Sequence, residues 1–342
     1  AIDRERKTVT VKSYPGDETY EERYDKLILA PGTEAVIPDV RGVNANGVFT
    51  LKTIEDMDEV NSYIEKEKPE NAVVVGAGFI GLETAEALLR KGLEVSVVEA
   101  CPQILLPWDP DMADPVDRHM QDAMWIELCK DDALSEVLVE DGKAAGVKLS
   151  SGETLEAELV LLAIGVRPAT DLAKAAGLDL GIHDLIVTNP EMQTSDPDIY
   201  AAGDAVQSVH RLTGLPTWLP MAGPANRQGR TAGANAAGGK ARFPGVIGTC
   251  IVRMGKLVAG RTGLNEKEAI AADLDYFVTL TSGRSHAGYY PGSKEMWIKY
   301  VVENKTGRLL GAQIVGRDGV DKRIDVLATA IIGGMTVSDI ID

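Results

Sequence analysis

Short apolar runs alternate with segments of helical periodicity in the middle of the chain. The run at 72–75 is continuously apolar, as expected of a strand buried on both faces, and 95–98, which is apolar except for Ser96, predicts a second strand. Between them, residues 79–91 have the pattern of a helix, and the run at 158–165 predicts another buried strand. Strands that alternate with helices predict a mostly parallel sheet in a doubly wound α/β domain.

The flanking regions predict further elements. Thr53 with Asp56 three residues later is a capping pattern, which predicts the start of a helix over 53–67. Residues 112–128 are amphipathic and predict a second helix. Segments rich in β-branched or aliphatic residues predict strands at 7–12, 24–30, 136–140 and 145–149.

The pattern changes after residue 166. Residues 221–239 are rich in small residues and predict a helix with glycine breaks. Past Phe243 the chain becomes strand-rich and ends in a helix from Asp321, on which Ile324, Leu327, Ala328 and Ile331 make one apolar face. The predicted strands are 247–253, 257–260, 274–281, 296–302 and 308–315. We interpret 243–342 as a separate α+β domain.

Charge and cysteine content narrow the function classes. A net charge of −17 over 342 residues disfavours nucleic acid and anionic membranes as partners. No window approaches eighteen consecutive apolar residues, so no membrane span is predicted. Cys101, Cys129 and Cys250 are far apart and have no metal-ligand or disulfide spacing. We therefore predict no metal site and reduced thiols, which suit a cytoplasmic protein.

Residues 76–81 (GAGFIG) form a G-x-G-x-x-G motif between the strand at 72–75 and the helix at 79–91. Gly76 permits a tight turn, Gly78 leaves room for a pyrophosphate, and Gly81 allows close helix–strand packing. Phe79 and Ile80 begin the helix, whose free N–H groups attract phosphate. This context predicts a dinucleotide site.

Glu99 ends the second strand, 23 residues after Gly76. A carboxylate at this position accepts hydrogen bonds from both hydroxyls of an adenosine ribose and repels a 2′-phosphate. The sequence therefore favours NADH over NADPH.

A second candidate site is Gly203-Asp204, directly after the apolar run 199–202. An acid presented after a small-residue turn can bind ribityl or ribose hydroxyls. The same pattern also serves as an ordinary helix N-cap, and the residues alone leave both readings open.

Several motifs together resemble the FAD-dependent pyridine nucleotide-disulfide oxidoreductases. They are LILAPGTEAVIP, VVVGAGFIGLETAEAL, LVLLAIGVRP, IYAAGDAV and PMAGPANRQGRTAGANAAGG, in that order. AGPANRQGR, HAGYYPG and DKRIDVLATAI are most similar to the coenzyme A-disulfide reductase and NADH oxidase/peroxidase branch.

The resemblance implies two nested Rossmann-like domains and a C-terminal α+β dimerisation domain. The expected order is 1–37 as the end of the first half of the FAD domain, 38–67 as a connecting segment, 68–165 as the NAD(P)H domain, 166–242 as the second half of the FAD domain, and 243–342 as the dimerisation domain. The FAD fingerprint and the redox cysteine are expected upstream of Ala1, and an active-site loop downstream of Asp342. The FAD domain of the 342 residues is thus expected to be incomplete, and these residues alone to bind NADH, hold little FAD and show no turnover.

The resemblance also implies roles for individual residues. It implies that Gly203 and Asp204 hold the ribityl chain of FAD, that Gly32 lies in a crossover next to the cofactor, and that Glu83 lies near the nicotinamide and flavin. Gly165, at the end of LVLLAIG, is implied in cofactor binding.

Two tyrosines are implied as catalytic candidates. Tyr289, and less so Tyr290, match a tyrosine that reaches the partner's redox cysteine across a dimer interface, where a phenol can donate a proton to a leaving thiolate. An aromatic pair that only packs at the interface is the alternative. His286 is interpreted as structural.

The expected enzyme is a homodimeric flavoprotein that passes hydride from NADH to FAD and on to a cysteine-based centre. Its expected acceptor is coenzyme A disulfide, oxygen, peroxide or a related polysulfide. Two alternatives stay open: an NADH-dependent reductase of a small redox protein, and a non-catalytic module that binds NAD and dimerises.

Overall fold

The computed structural model describes residues 1–341. Its strands are β1 Ile2–Asp3, β2 Thr8–Lys12, β3 Thr19–Arg23, β4 Leu27–Leu29, β5 Thr33–Ala35, β6 Val48–Thr50, β7 Asn71–Val75, β8 Glu94–Glu99, β9 Glu127–Lys130, β10 Leu134–Glu140, β11 Lys143–Leu149, β12 Thr154–Glu156, β13 Leu159–Leu162, β14 Val166–Pro168, β15 Ile199–Ala201, β16 Ser208–Val209, β17 Pro216–Thr217, β18 Cys250–Met254, β19 Leu257–Gly263, β20 Tyr276–Arg284, β21 Glu295–Glu303 and β22 Leu309–Gly316. Its α-helices are α1 Ile54–Glu67, α2 Phe79–Arg90, α3 Pro110–Met124, α4 Asp171–Ala175, α5 Ala222–Ala236, α6 Glu266–Ala271, α7 Val320–Gly333 and α8 Val337–Ile341.

The chain divides into two compact units, and each is discontinuous in sequence. The first consists of Ala1–Glu34 and Val166–Val246, and the second begins with Ala35–Gly165 and resumes at Ile247. The central segment with the glycine motif thus lies in one unit with the strand-rich C-terminal region.

A five-stranded parallel sheet forms the first half of the second unit, in the order β6-β13-β7-β8-β9. Val73, Val74 and Leu161 are fully buried, as their continuous apolar runs predict for strands covered on both faces. Residues 38–67, expected to connect domains, supply the edge strand β6 and the helix α1. Thr53 and Asp56 cap α1 reciprocally, which confirms the predicted start of this helix.

The amphipathic helix predicted over 112–128 ends earlier in the structure. α3 stops at Met124, and Trp125 takes a left-handed conformation with φ 60° that closes the helix. The chain then enters β9, whose pairing with β8 holds residues 127–130 in the parallel sheet. Pairing with a neighbouring strand thus overrides helical periodicity at residues 127 and 128, where the predicted helix overlaps β9.

An antiparallel sheet in the order β18-β19-β22-β21-β20 forms the second half of the same unit. The predicted helix from Asp321 corresponds to α7, which packs on β19 and β22. Ile324, Leu327 and Ile331 are buried as expected, but Ala330 rather than Ala328 completes the packed face. The small residue that completes the packed face of α7 therefore lies two positions, about half a helical turn, after the one that the pattern predicts.

The first unit contains the parallel pair β4 and β15 and the antiparallel sheet β1-β2-β3. Ile199 and Ala201 of β15 are fully buried, and α5 packs on both strands of the pair. Among residues 1–341, no helix is long and apolar enough to cross a membrane.

Candidate dinucleotide-binding site

The glycine turn between β7 and α2 has three glycines with three different surroundings. Gly76 has φ +106°, and a Cβ there would lie 2.3 Å from the carbonyl oxygen of Ala163. A Cβ at Gly81 would lie 1.8 Å from the carbonyl oxygen of Gly76, whereas a Cβ at Gly78 would meet nothing within 4 Å. Gly76 and Gly81 are thus required by packing, and Gly78 leaves open space in front of the helix.

Gly78 is also the N-cap residue of α2, and because it has no side chain it makes no capping hydrogen bond to the helix. The first N–H groups of a helix have no partner within the helix, and together with the helix dipole they favour an anion. The open space in front of α2 therefore suits a pyrophosphate.

Glu99 lies beside this turn because β7 and β8 are parallel neighbours whose carboxyl ends share one edge. Its Oε2 accepts a hydrogen bond from the backbone N–H of Ala77 at 2.8 Å, and its Oε1 accepts one from Cys101 at 2.9 Å. A carboxylate has about four acceptor positions, so Glu99 keeps capacity for ribose hydroxyls.

Gly165 lies at the same edge, because it closely follows β13, the other neighbour of β7. It has φ +120°, and a Cβ there would meet nothing within 4 Å. The carboxyl ends of parallel strands are where ligands bind in open α/β sheets. The structure thus brings Gly76, Glu99 and Gly165 to one edge of the sheet.

The remaining candidates on α2 differ in exposure. The ring of Phe79 packs against that of Trp108, with 5.6 Å between centroids. Ile80 is 41% exposed, and Glu83 is exposed on the first turns of the helix. Their contribution to cofactor binding stays a prediction.

In the first unit, Gly32 and Gly203-Asp204 follow the neighbouring parallel strands β4 and β15. Both glycines have positive φ, +69° at Gly32 and +92° at Gly203. Asp204 is half-buried, and its carbonyl accepts a hydrogen bond from Trp218 Nε1 at 2.8 Å. This second carboxyl edge therefore presents a flexible glycine and an acid together, which fits the polyhydroxy chain of a flavin cofactor.

Tyr289 and Tyr290 lie in the loop that joins β20 to β21. Tyr289 is 92% exposed and Tyr290 64%, and the Tyr290 ring packs edge-on to His286 with 5.6 Å between centroids. The loop is a different element from those that carry the glycine turn, and the proposed proton donation by these tyrosines stays a prediction.

The three cysteines have thiols that are poor nucleophiles at neutral pH. Burial raises the pKa of Cys129 and of Cys250 to about 11 each. Burial, followed by the nearby carboxylate of Glu99, also raises the pKa of Cys101. Because the thiolate is the reactive form, the raised pKa values keep these thiols mostly protonated at neutral pH.

The segment 101–109, between β8 and α3, borders the glycine turn and was missed by sequence reasoning. The N–H of Leu105 donates to the carbonyl of Ala77 at 3.0 Å, and Asp109 pairs with Gln313, 204 residues away. The aromatic residues Phe79 and Trp108 are the signal in the sequence that could have suggested a contact between this segment and the turn. The pairing of Asp109 with Gln313 has no such signal, because the two residues are far apart in the sequence.

The family model of pyridine nucleotide-disulphide oxidoreductases matches residues 1–229, and the model of the dimerisation domain of these proteins matches residues 251–342. Together they account for most of the chain.

Curated relatives cover nearly the whole chain. An NAD(P)H coenzyme A polysulfide/persulfide reductase of Pyrococcus horikoshii is 36% identical over 97% of this chain and 73% of its own length. An NADH oxidase of Methanocaldococcus jannaschii is 39% identical over 96% of the chain and 73% of its own length. A coenzyme A disulfide reductase of Staphylococcus epidermidis is 31% identical over 99% of the chain and 75% of its own length.

A solved NAD-dependent persulfide reductase from A. fulgidus superposes with a TM-score of 0.95 at 38% identity. The alignment covers 99% of this chain and 62% of the solved chain. The chain therefore spans less than two thirds of that protein and about three quarters of the curated relatives that it matches.

Proposed function

Because this chain belongs to the pyridine nucleotide-disulphide oxidoreductases, we propose that it takes hydride from NADH and passes two electrons through FAD to a sulfur acceptor. The proposed acceptor is a disulfide, persulfide or polysulfide of coenzyme A, the class named in two of its relatives. For a disulfide, each turnover consumes one NADH and one proton and releases NAD⁺ and two thiols.

The geometry of the glycine turn carries the proposal. The open space at Gly78, the N-terminus of α2 and the adjacent carboxylate of Glu99 match the pyrophosphate and ribose of a dinucleotide. Glu99 would discriminate against NADPH, because its carboxylate and the 2′-phosphate of NADPH would be two negative groups placed next to each other beside the glycine turn.

FAD, when bound, supplies the two-electron step between a hydride donor and sulfur. We assign Gly32, Gly203 and Asp204 to its binding. Asp204 would accept hydrogen bonds from the hydroxyls of the ribityl chain, and the two glycines would let the backbone approach the cofactor. Glu83, Ile80 and Gly165 are proposed to border the nicotinamide.

Tyr289 and Tyr290 are proposed to act at the acceptor end of the reaction. A phenol can give its proton to a thiolate as the S–S bond breaks, which makes the thiolate a better leaving group. Their high exposure supports a role toward a second copy of the chain. We therefore propose a homodimer, consistent with the dimerisation-domain match at 251–342, in a reducing, cytoplasmic setting that suits three unpaired thiols.

A direct test supplies NADH and compares acceptors: coenzyme A disulfide, coenzyme A persulfide, oxygen and a small redox protein. The proposal expects turnover with the coenzyme A compounds at least about tenfold above that with the redox protein. Turnover of the redox protein alone would contradict it, and absence of both flavin absorbance and turnover from the whole protein would favour a binding module.

Oxygen is the second candidate acceptor, because a relative 39% identical is named an NADH oxidase. NADH oxidation that consumes one O2 per NADH with hydrogen peroxide as product, or one O2 per two NADH with water as product, without any stimulation by coenzyme A disulfide, would favour this alternative. Peroxide is distinguished by adding it under anaerobic conditions.

A further inference from the structure

The segment 101–109 forms a wall of the glycine turn. The N–H of Leu105 donates to the carbonyl of Ala77 at 3.0 Å, and the Trp108 ring packs on Phe79. Leu105 has φ +50°, a conformation that a leucine adopts only when its surroundings hold it there. The position of this segment therefore affects the entrance to α2.

Gln313 of β22 holds the end of this segment with two hydrogen bonds. Its Oε1 accepts from the backbone N–H of Asp109 at 2.7 Å, and its Nε2 donates to Oδ2 of Asp109 at 2.6 Å. Gln313 is 1% exposed and Asp109 3%. Because an amide both donates and accepts, Gln313 matches both groups of Asp109 at once.

Charged groups surround this pair and orient it. Nζ of Lys299 lies 3.2 Å from Oδ2 of Asp109 and 2.8 Å from Oδ1 of Asp111. Burial alone would lower the pKa of Lys299, but hydrogen bonds to Asp111 and Glu266 and the charge of Asp109 raise it, so this lysine stays charged. Asp109 is also the N-cap residue of α3, where the helix dipole favours a carboxylate.

A second contact from the antiparallel sheet and the adjoining turn reaches the same segment. The carbonyl of Pro107 accepts hydrogen bonds from Asn265 Nδ2 at 3.0 Å and from the guanidinium of Arg261. Buried polar contacts of this kind stabilise no more than well-packed apolar ones would, but they fix one orientation. The arrangement thus sets where the 101–109 segment lies.

We propose that Gln313 is a positioning residue for NADH. Through Asp109 it fixes the 101–109 segment, and this segment fixes Phe79 and the peptide of Ala77 at the turn that receives the pyrophosphate. The C-terminal sheet thereby controls nucleotide affinity without touching the nucleotide. The inference rests on the proposed NADH site and adds a control element to it.

The test measures NAD⁺ affinity by calorimetry and the KM for NADH in the whole protein. NAD⁺ serves as the binding probe because it carries the same pyrophosphate and ribose and cannot reduce a flavin. Gln313→Leu should weaken NAD⁺ binding at least about tenfold and raise the KM for NADH more than it changes kcat. In the nucleotide-free protein, tryptophan emission should shift to longer wavelength as Trp108 becomes less enclosed.

Gln121→Leu is the matched control, since it makes the same substitution at an exposed residue of α3 that bonds Asp117 and leaves the Gln313–Asp109 pair intact. It should leave NAD⁺ affinity within about twofold of the parent. If Gln313→Leu fails to fold, Gln313→Glu replaces it; this variant places two carboxylates together, and Asp109→Asn in the same protein should restore part of the lost affinity by reversing the donor and acceptor.

The outcomes separate this inference from the proposed function. Parent protein that binds no NAD⁺ refutes the nucleotide site itself. Parent protein that binds NAD⁺, together with a folded Gln313→Leu variant of equal affinity and lower melting temperature, shows a purely structural Gln313 and overturns the inference.

Discussion

The carboxylate of Glu99 accepts a hydrogen bond from the backbone N–H of Ala77 at 2.8 Å, inside the glycine turn itself. The same carboxylate also accepts from Cys101 at 2.9 Å. Glu99 therefore stabilises the backbone of the turn and also lies beside the expected position of the ribose. Loss of its charge should affect nucleotide choice, and loss of its acceptors should affect the turn.

Glu99→Gln should narrow the preference for NADH over NADPH, because it removes the repulsion of a 2′-phosphate and keeps an acceptor for Ala77. A lost charge-assisted hydrogen bond costs roughly 1.5–3 kcal/mol, about ten- to a hundredfold in affinity for NADH. Affinities for both nucleotides, measured by titration, provide the check. Glu94→Gln, an exposed acid at the opposite end of β8, is the control with the same charge change; equal NADH and NADPH affinities in the parent would refute the assignment.

Cys250 should make the stability of the protein fall at alkaline pH. Its pKa is raised by burial to about 11 in the folded state. In the unfolded chain a thiol loses its proton near pH 8.5, so the unfolded state is favoured increasingly as the pH rises from that value to the folded pKa. Cys250→Ala should remove this part of the pH dependence.

The measurement is urea unfolding of parent and variant at several pH values between 7 and about 11. The stability difference between the two proteins should stay constant below pH 8 and move in favour of the variant above pH 9. A difference that stays constant across the range would contradict the burial of this thiol.

Asp196 should contribute stability that is lost in acid. Its Oδ2 accepts a hydrogen bond from Arg4 Nε at 2.7 Å, and its Oδ1 accepts one from the N–H of Asp198 at 2.9 Å. Burial alone would raise the pKa of Asp196, but these hydrogen bonds outweigh burial and lower it. A carboxyl with a depressed pKa stabilises the fold above its unfolded value and loses that effect as the pH falls through the folded value.

Asp196→Asn should therefore cost about 1–2 kcal/mol at pH 7. The loss of stability should become smaller as the pH falls below about 4. Denaturant titrations of parent and variant at pH 7 and at pH 3 can measure this change. Asp17→Asn provides a control, because Asp17 is paired with Lys12 at a site that is 91% exposed. A cost that is equal at pH 7 and pH 3 would show that the ion pair with Arg4 does not stabilise the unit.

The sequence predicted the central sheet and the glycine turn well, because these features depend on local patterns. Mainly apolar runs identify β7, β8 and β13, and the structure shows that packing requires glycine at Gly76 and at Gly81, as their spacing predicts. The family membership predicted from ordered motifs is confirmed by the matching family models.

Features that depend on distant pairing could not be predicted. β9 begins in the last two residues of the amphipathic stretch 112–128, and its parallel pairing with β8 makes it a strand. The contact of Asp109 with Gln313 joins residues 204 positions apart; Gln313 stands out as the polar residue in the apolar strand β22, but no local pattern identifies its partner. The surroundings of the glycine turn therefore depend on tertiary packing that a single sequence does not encode in any local pattern.

Alanine at Gly78 and alanine at Gly81 should have opposite consequences. Gly78 has a negative φ and open space around it, so Gly78→Ala should fold normally. Its methyl group would occupy the space proposed for the pyrophosphate, and NAD⁺ affinity should fall at least about tenfold, or about 1.4 kcal/mol. Gly81→Ala places a methyl group 1.8 Å from the Gly76 carbonyl oxygen and should cost roughly 1–3 kcal/mol or more in stability.

Thermal unfolding and NAD⁺ titration on both variants distinguish these effects. Gly92→Ala is a control for the loss of a glycine near α2. The φ of +94° at this position strains an alanine, but the position is away from the glycine turn and the new methyl group would have no atom within 4 Å. It should lower stability and leave NAD⁺ affinity unchanged. If Gly78→Ala bound NAD⁺ as tightly as the parent, the pyrophosphate could not pass over Gly78, and the open space in front of α2 would need another explanation.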